Sequence, residues 1–393
     1  MIIDSEIKEF IRNHKNEDVR KLALKKSQLS SDMHTFVLQQ IAGWQIASKK
    51  VPSWALNDDL LYPPHLSLEQ CSSEQTAKYK TSLLQPANSY ADLTGGMGVD
   101  FCFMSAKFPQ RWFVEQNESL CELAQHNFAV LGIDASVCNE EASSFLQMIQ
   151  PLDCIYLDPA RRDSKGRKMI SIADCTPNLL EIQDLLLTKS ASVWIKYSPM
   201  LDISVALNEL KSVDQIHVVS VNNECKELLF HLTKQSGASP KITCVNLKKN
   251  DEQETFSYRW EDENSSAFHP AGQIETYLYE PNASILKAGA FKIICQQFNV
   301  KKLAFNSHLY TSDRYIDDFP GRKFKVEAAI SMNKQQIKEQ LQDCHQANIT
   351  TRNFPLSVEQ LRSKLKIADG GDVYLFATTF QNQKILLKTV AMR

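Results

Sequence analysis

The chain has 393 residues, 43% of them hydrophobic and 23% charged, and a formal net charge of −2 at pH 7. That length allows two to three domains, and that composition excludes a disordered or collagen-like chain and a uniformly basic coat. No apolar stretch approaches the roughly 18 residues of a membrane span, and the N-terminus, MIIDSEIKEFIRNHKNEDVRK, is charged where a secretory signal needs an apolar run.

A cytoplasmic protein without membrane contact is therefore expected. Its ten cysteines stand singly, with no CxxC pair. Reduced, mostly buried thiols and no metal site follow. Residues 1–85 read as helices, because Ile7, Phe10, Ile11, Leu22, Leu24 and Leu29 recur near helical spacing, as do Val37, Ile41 and Trp44. Pro52, Pro63 and Pro64 mark turns, and SSEQTAKYKTSLL opens with serines able to cap a helix.

From Ser89 short apolar runs alternate with amphipathic ones. SYADLT, RWFVEQ, ASVCN, LDCIYLD, ASVWIKY and QIHVVSV read as buried strands. ESLCELAQHNFAVLG, EASSFLQMI, PNLLEIQDLLLT and ISVALNELK read as the helices between them. The pattern predicts an α/β, Rossmann-like doubly wound core over 86–250. NLKKNDEQETFSYRWEDENSS is polar enough for a solvated loop or linker. A compact segment covers 275–322, and 323–393 reads strand, helix, strand, helix and a closing strand pair, a small α+β domain.

The turn Thr94-Gly95-Gly96-Met97-Gly98 directly follows an apolar strand, a placement that lets backbone amides approach a ligand. A dinucleotide fingerprint would need a third glycine at the position of Phe101, which makes a dehydrogenase the least favoured reading. The acidic Asp92 before the turn suits a cation, as in the amino group and sulfonium of S-adenosylmethionine. Glu115, 17 to 20 residues past the glycines at the end of the second strand, is placed to accept ribose hydroxyls, with Asn117 assisting. The third strand ends in Glu140-Glu141-Ala142, beside the expected adenine edge, and either glutamate could face inward. These residues form the expected cofactor site.

The fourth strand ends in YLDPARRD. Asp158 and Pro159 put a carboxylate and a rigid corner at the carboxyl edge of the sheet, where open α/β folds bind ligands. Together, ADLTGGMGVD and YLDPARRD resemble class I methyltransferases whose fourth strand carries Asp/Asn-Pro-Pro-aromatic. The likeness is greatest to an uncharacterised bacterial group with a C-terminal THUMP-like domain, and it extends through SSEQTAKYKTSLL and RNFPLSVEQLRSKLKIADGGDVYL. The resemblance implies an N-terminal helical domain, the methyltransferase core and C-terminal ferredoxin-like/THUMP-like segments. It also implies that Asp158 and the Pro159 carbonyl accept hydrogen bonds from a target amine.

Ala160 and Arg161 depart from that pattern, so Arg161 and Arg162 instead offer guanidinium planes for phosphate or base. Lys196 and Tyr197, at the fifth strand end, are further candidate substrate contacts; Tyr79 and Lys80 are weaker ones. Cys154 and Cys175 read as core, which leaves covalent base methylation without a nucleophile. From Pro320 to Lys366 nine basic residues face four acidic ones, a local excess of five that fits phosphate binding. THUMP likeness implies structured RNA as the partner. Nucleobase N-methylation in tRNA or rRNA is the expected activity. A protein amine acceptor, or an RNA-binding protein whose cofactor is only structural, are the alternatives.

Overall fold

The computed structural model describes residues 4–25, 29–160, 171–235, 237, 239–249 and 252–392. The chain divides into two compact units, Met1–Asp214 with Leu228–Gly237, and Gln215–Glu227 with Ala238–Arg393.

The first unit opens with helices α1 (Ser5–His14), α2 (Val19–Ala23), α3 (Ser31–Lys50), α4 (His65–Gln70) and α5 (Glu74–Leu83). Ser30 and Ser73 cap α3 and α5 by accepting the Met33 and Thr76 amides. Ala47, Val51, Trp54, Tyr62 and Ala77 from this block share one core with Met97 and Val99 of the glycine turn. The helices therefore brace the turn from behind.

Strand and helix then alternate through β1 (Ser89–Asp92), α6 (Val99–Met104), β2 (Gln110–Val114), α7 (Glu118–Leu131), β3 (Ser136–Cys138) and α8 (Ala142–Met148). They continue through β4 (Leu152–Leu157), α9 (Leu179–Lys189), β5 (Ser190–Tyr197) and α10 (Ile203–Glu209). β1 to β5 are parallel, in the order β3-β2-β1-β4-β5, and β1 is buried along its whole length. Helices on both faces explain that continuous burial. After β6 (Val213–Val221) the chain reverses at Asn222-Asn223, whose φ angles of 49° and 64° suit asparagine. β7 (Glu224–Leu232) returns antiparallel to β5, pairing Leu232 with Val193 and Leu228 with Tyr197.

In the second unit, β8 (Lys241–Leu247) runs parallel to β6 and β9 (Gln253–Arg259) antiparallel to β8, followed by α11 (Trp260–Ser265). This corrects the solvated loop expected for NLKKNDEQETFSYRWEDENSS. Phe256 and Tyr258 point inward, while the polar residues alternating with them mask a strand in the composition.

The rest comprises β10 (Tyr277–Pro281), α12 (Ala283–Ala288), α13 (Ile293–Phe298), β11 (Lys301–Lys302), β12 (Tyr310–Ser312) and β13 (Gly321–Ser331). α14 (Lys334–Leu341), β14 (Asn348–Arg352), α15 (Val358–Leu365), β15 (Val373–Phe380) and β16 (Gln383–Ala391) complete the chain. The strands of this stretch form one sheet, ordered β11-β12-β10-β13-β16-β15-β14. The β10–β13 ladder thus joins the segments that the sequence divides near residue 322.

Candidate active site

The glycine turn is fixed by its own backbone. Gly95 donates to the Val114 carbonyl at 2.9 Å, and Gly98 donates to the Gly95 carbonyl at 2.9 Å. A Cβ on Gly95 would lie 2.3 Å from the Phe113 ring, so only glycine lets the turn sit on the sheet. The space over Gly96 is open, since a Cβ there would meet nothing nearer than the Thr94 carbonyl at 3.8 Å. Glu115 closes one side: its Oε2 accepts the Gly96 amide at 2.8 Å and its Oε1 the Asn117 amide at 2.9 Å. Asn117 caps α7 through the Leu120 amide. Asn139 donates to the Glu115 and Gln116 carbonyls, holding the ends of β2 and β3 together. Glu140 and Glu141 are exposed, and Ala142 is buried.

Asp92 is 1% exposed, and its Oδ1 accepts the Thr94 amide at 3.0 Å. Burial pushes this carboxyl well above the usual range; the Thr94 amide opposes the shift, and the charges of Asp100, Asp158 and Glu115 add to it. It pairs with no cation among the described residues. A buried carboxylate amid other acids, beside an open glycine cradle, is chemically suited to a small cationic ligand, so these residues fit adenosylmethionine.

The corner after β4 docks on the same turn. Asp158 donates its amide to Thr94 Oγ1 at 2.6 Å, and Pro159 is buried. Ala160 and Thr176 exchange two backbone hydrogen bonds, at 2.8 and 3.0 Å, which pin the far side of the corner. Arg161 and Arg162 lie outside the described residues. At the end of β5, Lys196 is buried with its Nζ 2.5 Å from Asp158 Oδ2. Tyr197 is buried as well, packed against Phe230; desolvation holds its phenol far above the usual range. The structure does not bring the Tyr197 side chain to the surface, where an acceptor would meet it.

Sequence reasoning missed Asp100, on α6, and Tyr156. Asp100 accepts from Ser72 Oγ at 2.7 Å and Tyr156 OH at 2.8 Å, with Lys80 Nζ at 3.1 Å and Lys196 Nζ at 3.6 Å. Its signal was available: an aspartate in the apolar run Val99–Met104 must be paired if buried. Although burial pushes the Asp100 carboxyl up, the ammonium groups of Lys80 and Lys196 and two hydroxyl donors hold it at about 2. Cys154 is buried, which pushes its thiol up to about 12. Cys175 is buried too. No group of His, Cys, Asp and Glu among the described residues is arranged to hold a metal ion.

The basic excess near the C-terminus is partly internal. Arg322 and Arg352 pair with buried Glu280, Lys323 with Asp317, and Arg362 with Asp369. Lys325, Lys334, Lys338, Lys364 and Lys366 are left without an ion pair among the described residues.

A family described as a ferredoxin-like domain matches residues 277–320, and one described as THUMP domain-like matches 321–389. A crystal structure described as a "putative methyltransferase" from Porphyromonas gingivalis W83 aligns over 100% of both chains, at 34% identity and a TM-score of 0.89. An rRNA methylase from Streptococcus thermophilus covers 40% of this chain and 93% of its own, at 14% identity and a TM-score of 0.31. A Pyrococcus abyssi tRNA (uracil-54, C5)-methyltransferase covers 45% of this chain and 41% of its own, at 14% identity and a TM-score of 0.30. No curated protein matches.

Proposed function

This chain belongs to the class I S-adenosylmethionine-dependent methyltransferases with ferredoxin-like and THUMP-like segments at the C-terminus, and from that membership we propose that it methylates an exocyclic nucleobase amine in structured tRNA or rRNA. Asp92 would hold the ammonium of the cofactor, Glu115 with Asn117 the ribose hydroxyls, and the Glu140-Glu141-Ala142 corner the adenine edge. Bound adenosylmethionine supplies an electrophilic methyl group. Asp158 and the Pro159 carbonyl accept the N–H groups of the target amine and so aim its lone pair. An amine held by these two acceptors would present its lone pair toward the cofactor side of the corner, and the proton it gives up would pass to water.

The observation that carries this reading is the hydrogen bond from the Asp158 amide to Thr94 Oγ1, which sets the Asp-Pro corner against the glycine turn. The THUMP-like match and the unpaired lysines around it support RNA as the partner. The test is labelled adenosylmethionine with total RNA from a deletion strain, followed by nucleoside mass spectrometry. An N-methylated base, lost in Asp158→Ala, is expected. Label entering protein and never RNA would replace the acceptor, and transfer retained in Asp158→Ala would remove the role of that corner.

A further inference from the structure

Ser72, Lys80, Asp100, Tyr156, Asp158 and Lys196 come from distant stretches of the first unit and meet at one place. The acceptors around Lys196 include Asp158 Oδ2 at 2.5 Å, Ser72 Oγ at 3.2 Å and Asp100 Oδ2 at 3.6 Å. Lys80 donates to Ser72 Oγ at 2.9 Å and lies 3.1 Å from Asp100 Oδ1. Lys80, Asp100 and Lys196 are each at least nine-tenths buried, whereas the Asp158 side chain is 38% exposed. Buried ion clusters are a poor source of stability, which directs attention to what this one does to the exposed carboxylate.

Among the described residues of this cluster the Lys80 and Lys196 ammonium groups face the Asp100 and Asp158 carboxylates, so Asp158 meets an incoming acceptor with a countercharge already in place. That countercharge is fixed: Asp100, ionised at ordinary pH, anchors Lys196 from behind, and Lys80 neutralises the remainder of Asp100. An aliphatic ammonium approaching Asp158 would be forced close to the Lys196 ammonium at low dielectric. An uncharged amine keeps the hydrogen bond and avoids the repulsion.

We propose that Lys196, anchored by Asp100 and Lys80, is a positioning residue that makes the acceptor site select an uncharged aromatic amine, as nucleobases carry, over a lysine-type ammonium. This rests on the reading of Asp158 as the acceptor-facing group.

The test is ligand-observed NMR on the full chain with S-adenosylhomocysteine added, using n-butylammonium and cytidine as probes. Cytidine should bind the wild type, and n-butylammonium should not. Lys196→Met should gain n-butylammonium binding by tenfold or more, Lys196→Arg should keep the wild-type pattern, and Asp158→Asn in the Lys196→Met background should abolish the gain. Should Lys196→Met fail to fold, Lys196→Met with Asp100→Asn removes one buried charge of each sign and carries the same expectation.

Equal n-butylammonium binding by the wild type and a folded Lys196→Met variant overturns the inference, even if RNA is methylated. The expected probe pattern with no RNA methylated by the wild type leaves the inference standing and removes the RNA reading alone.

Discussion

At the scale of single residues, Asp92 carries a burial cost in the folded protein. A carboxyl held above its unfolded value binds protons more tightly in the folded state, so it destabilises at high pH, and the penalty fades as pH falls through the folded value. Asp92→Asn should therefore stabilise the ligand-free protein at neutral pH by roughly 1–3 kcal/mol, with the gap closing in acid. Melting temperature against pH checks this, and calorimetry should show weaker adenosylmethionine binding by the same variant. Gly95→Ala acts oppositely: the Phe113 ring cannot yield 2.3 Å without shifting the sheet. A loss of about 1–3 kcal/mol is expected from such overpacking, seen in urea denaturation.

The positions of most candidate-site residues were legible because they follow from strand ends. Asp92, Glu115 and Asp158 each close or follow a run of apolar residues, and the parallel sheet places all those ends along one edge. The apolar run around Asp100 signalled a paired aspartate but not its partners, since Ser72, Tyr156 and Lys196 lie 28, 56 and 96 positions away, and only folding brings them together. Tyr197 shows the complementary failure: period alone does not tell that β5 is buried on both faces as far as its last residue.

At the scale of elements, β1, β4 and β5 were readable because burial on both faces writes continuous apolar runs into the sequence, and β2 and β3 because they alternate regularly with amphipathic helices. β7 and β9 were not. Each mixes charged and polar residues with its inward positions, as in Gln253–Arg259, where the ladder to β8 rather than composition makes the strand. Phe256 tests that account. It is buried, with its ring 5.7 Å from Tyr258 and 6.0 Å from Phe298. Phe256→Ala should cost about 3–5 kcal/mol in chemical denaturation. A solvated linker would lose almost nothing.

At the scale of the whole molecule, the C-terminal lysines separate into those that hold the fold and those available to a partner. Replacing Lys334, Lys338 and Lys364 with alanine should leave the melting temperature within a degree or two of the wild type, since exposed, unpaired side chains contribute little. RNA affinity should drop, and the slope of log K against log salt should become shallower by about 0.7 for each phosphate that is no longer neutralised. An unchanged slope in filter binding would mean that RNA meets another surface. Arg322→Ala should instead lower the melting temperature, because buried Glu280 would lose one of its two guanidinium partners.

Glu280 lies on β10, while Arg322 and Arg352 lie on β13 and β14. Gly321, where the second family match begins, fits so closely that a Cβ on it would fall 2.2 Å from the Glu280 carbonyl. The border between the two recognised families therefore runs through a sheet whose strands hydrogen-bond across it. A gene fragment ending at codon 320, or starting at 321, would yield a raw strand edge prone to aggregate. Recombination could not shuffle these two segments as separate modules: they must be inherited as one.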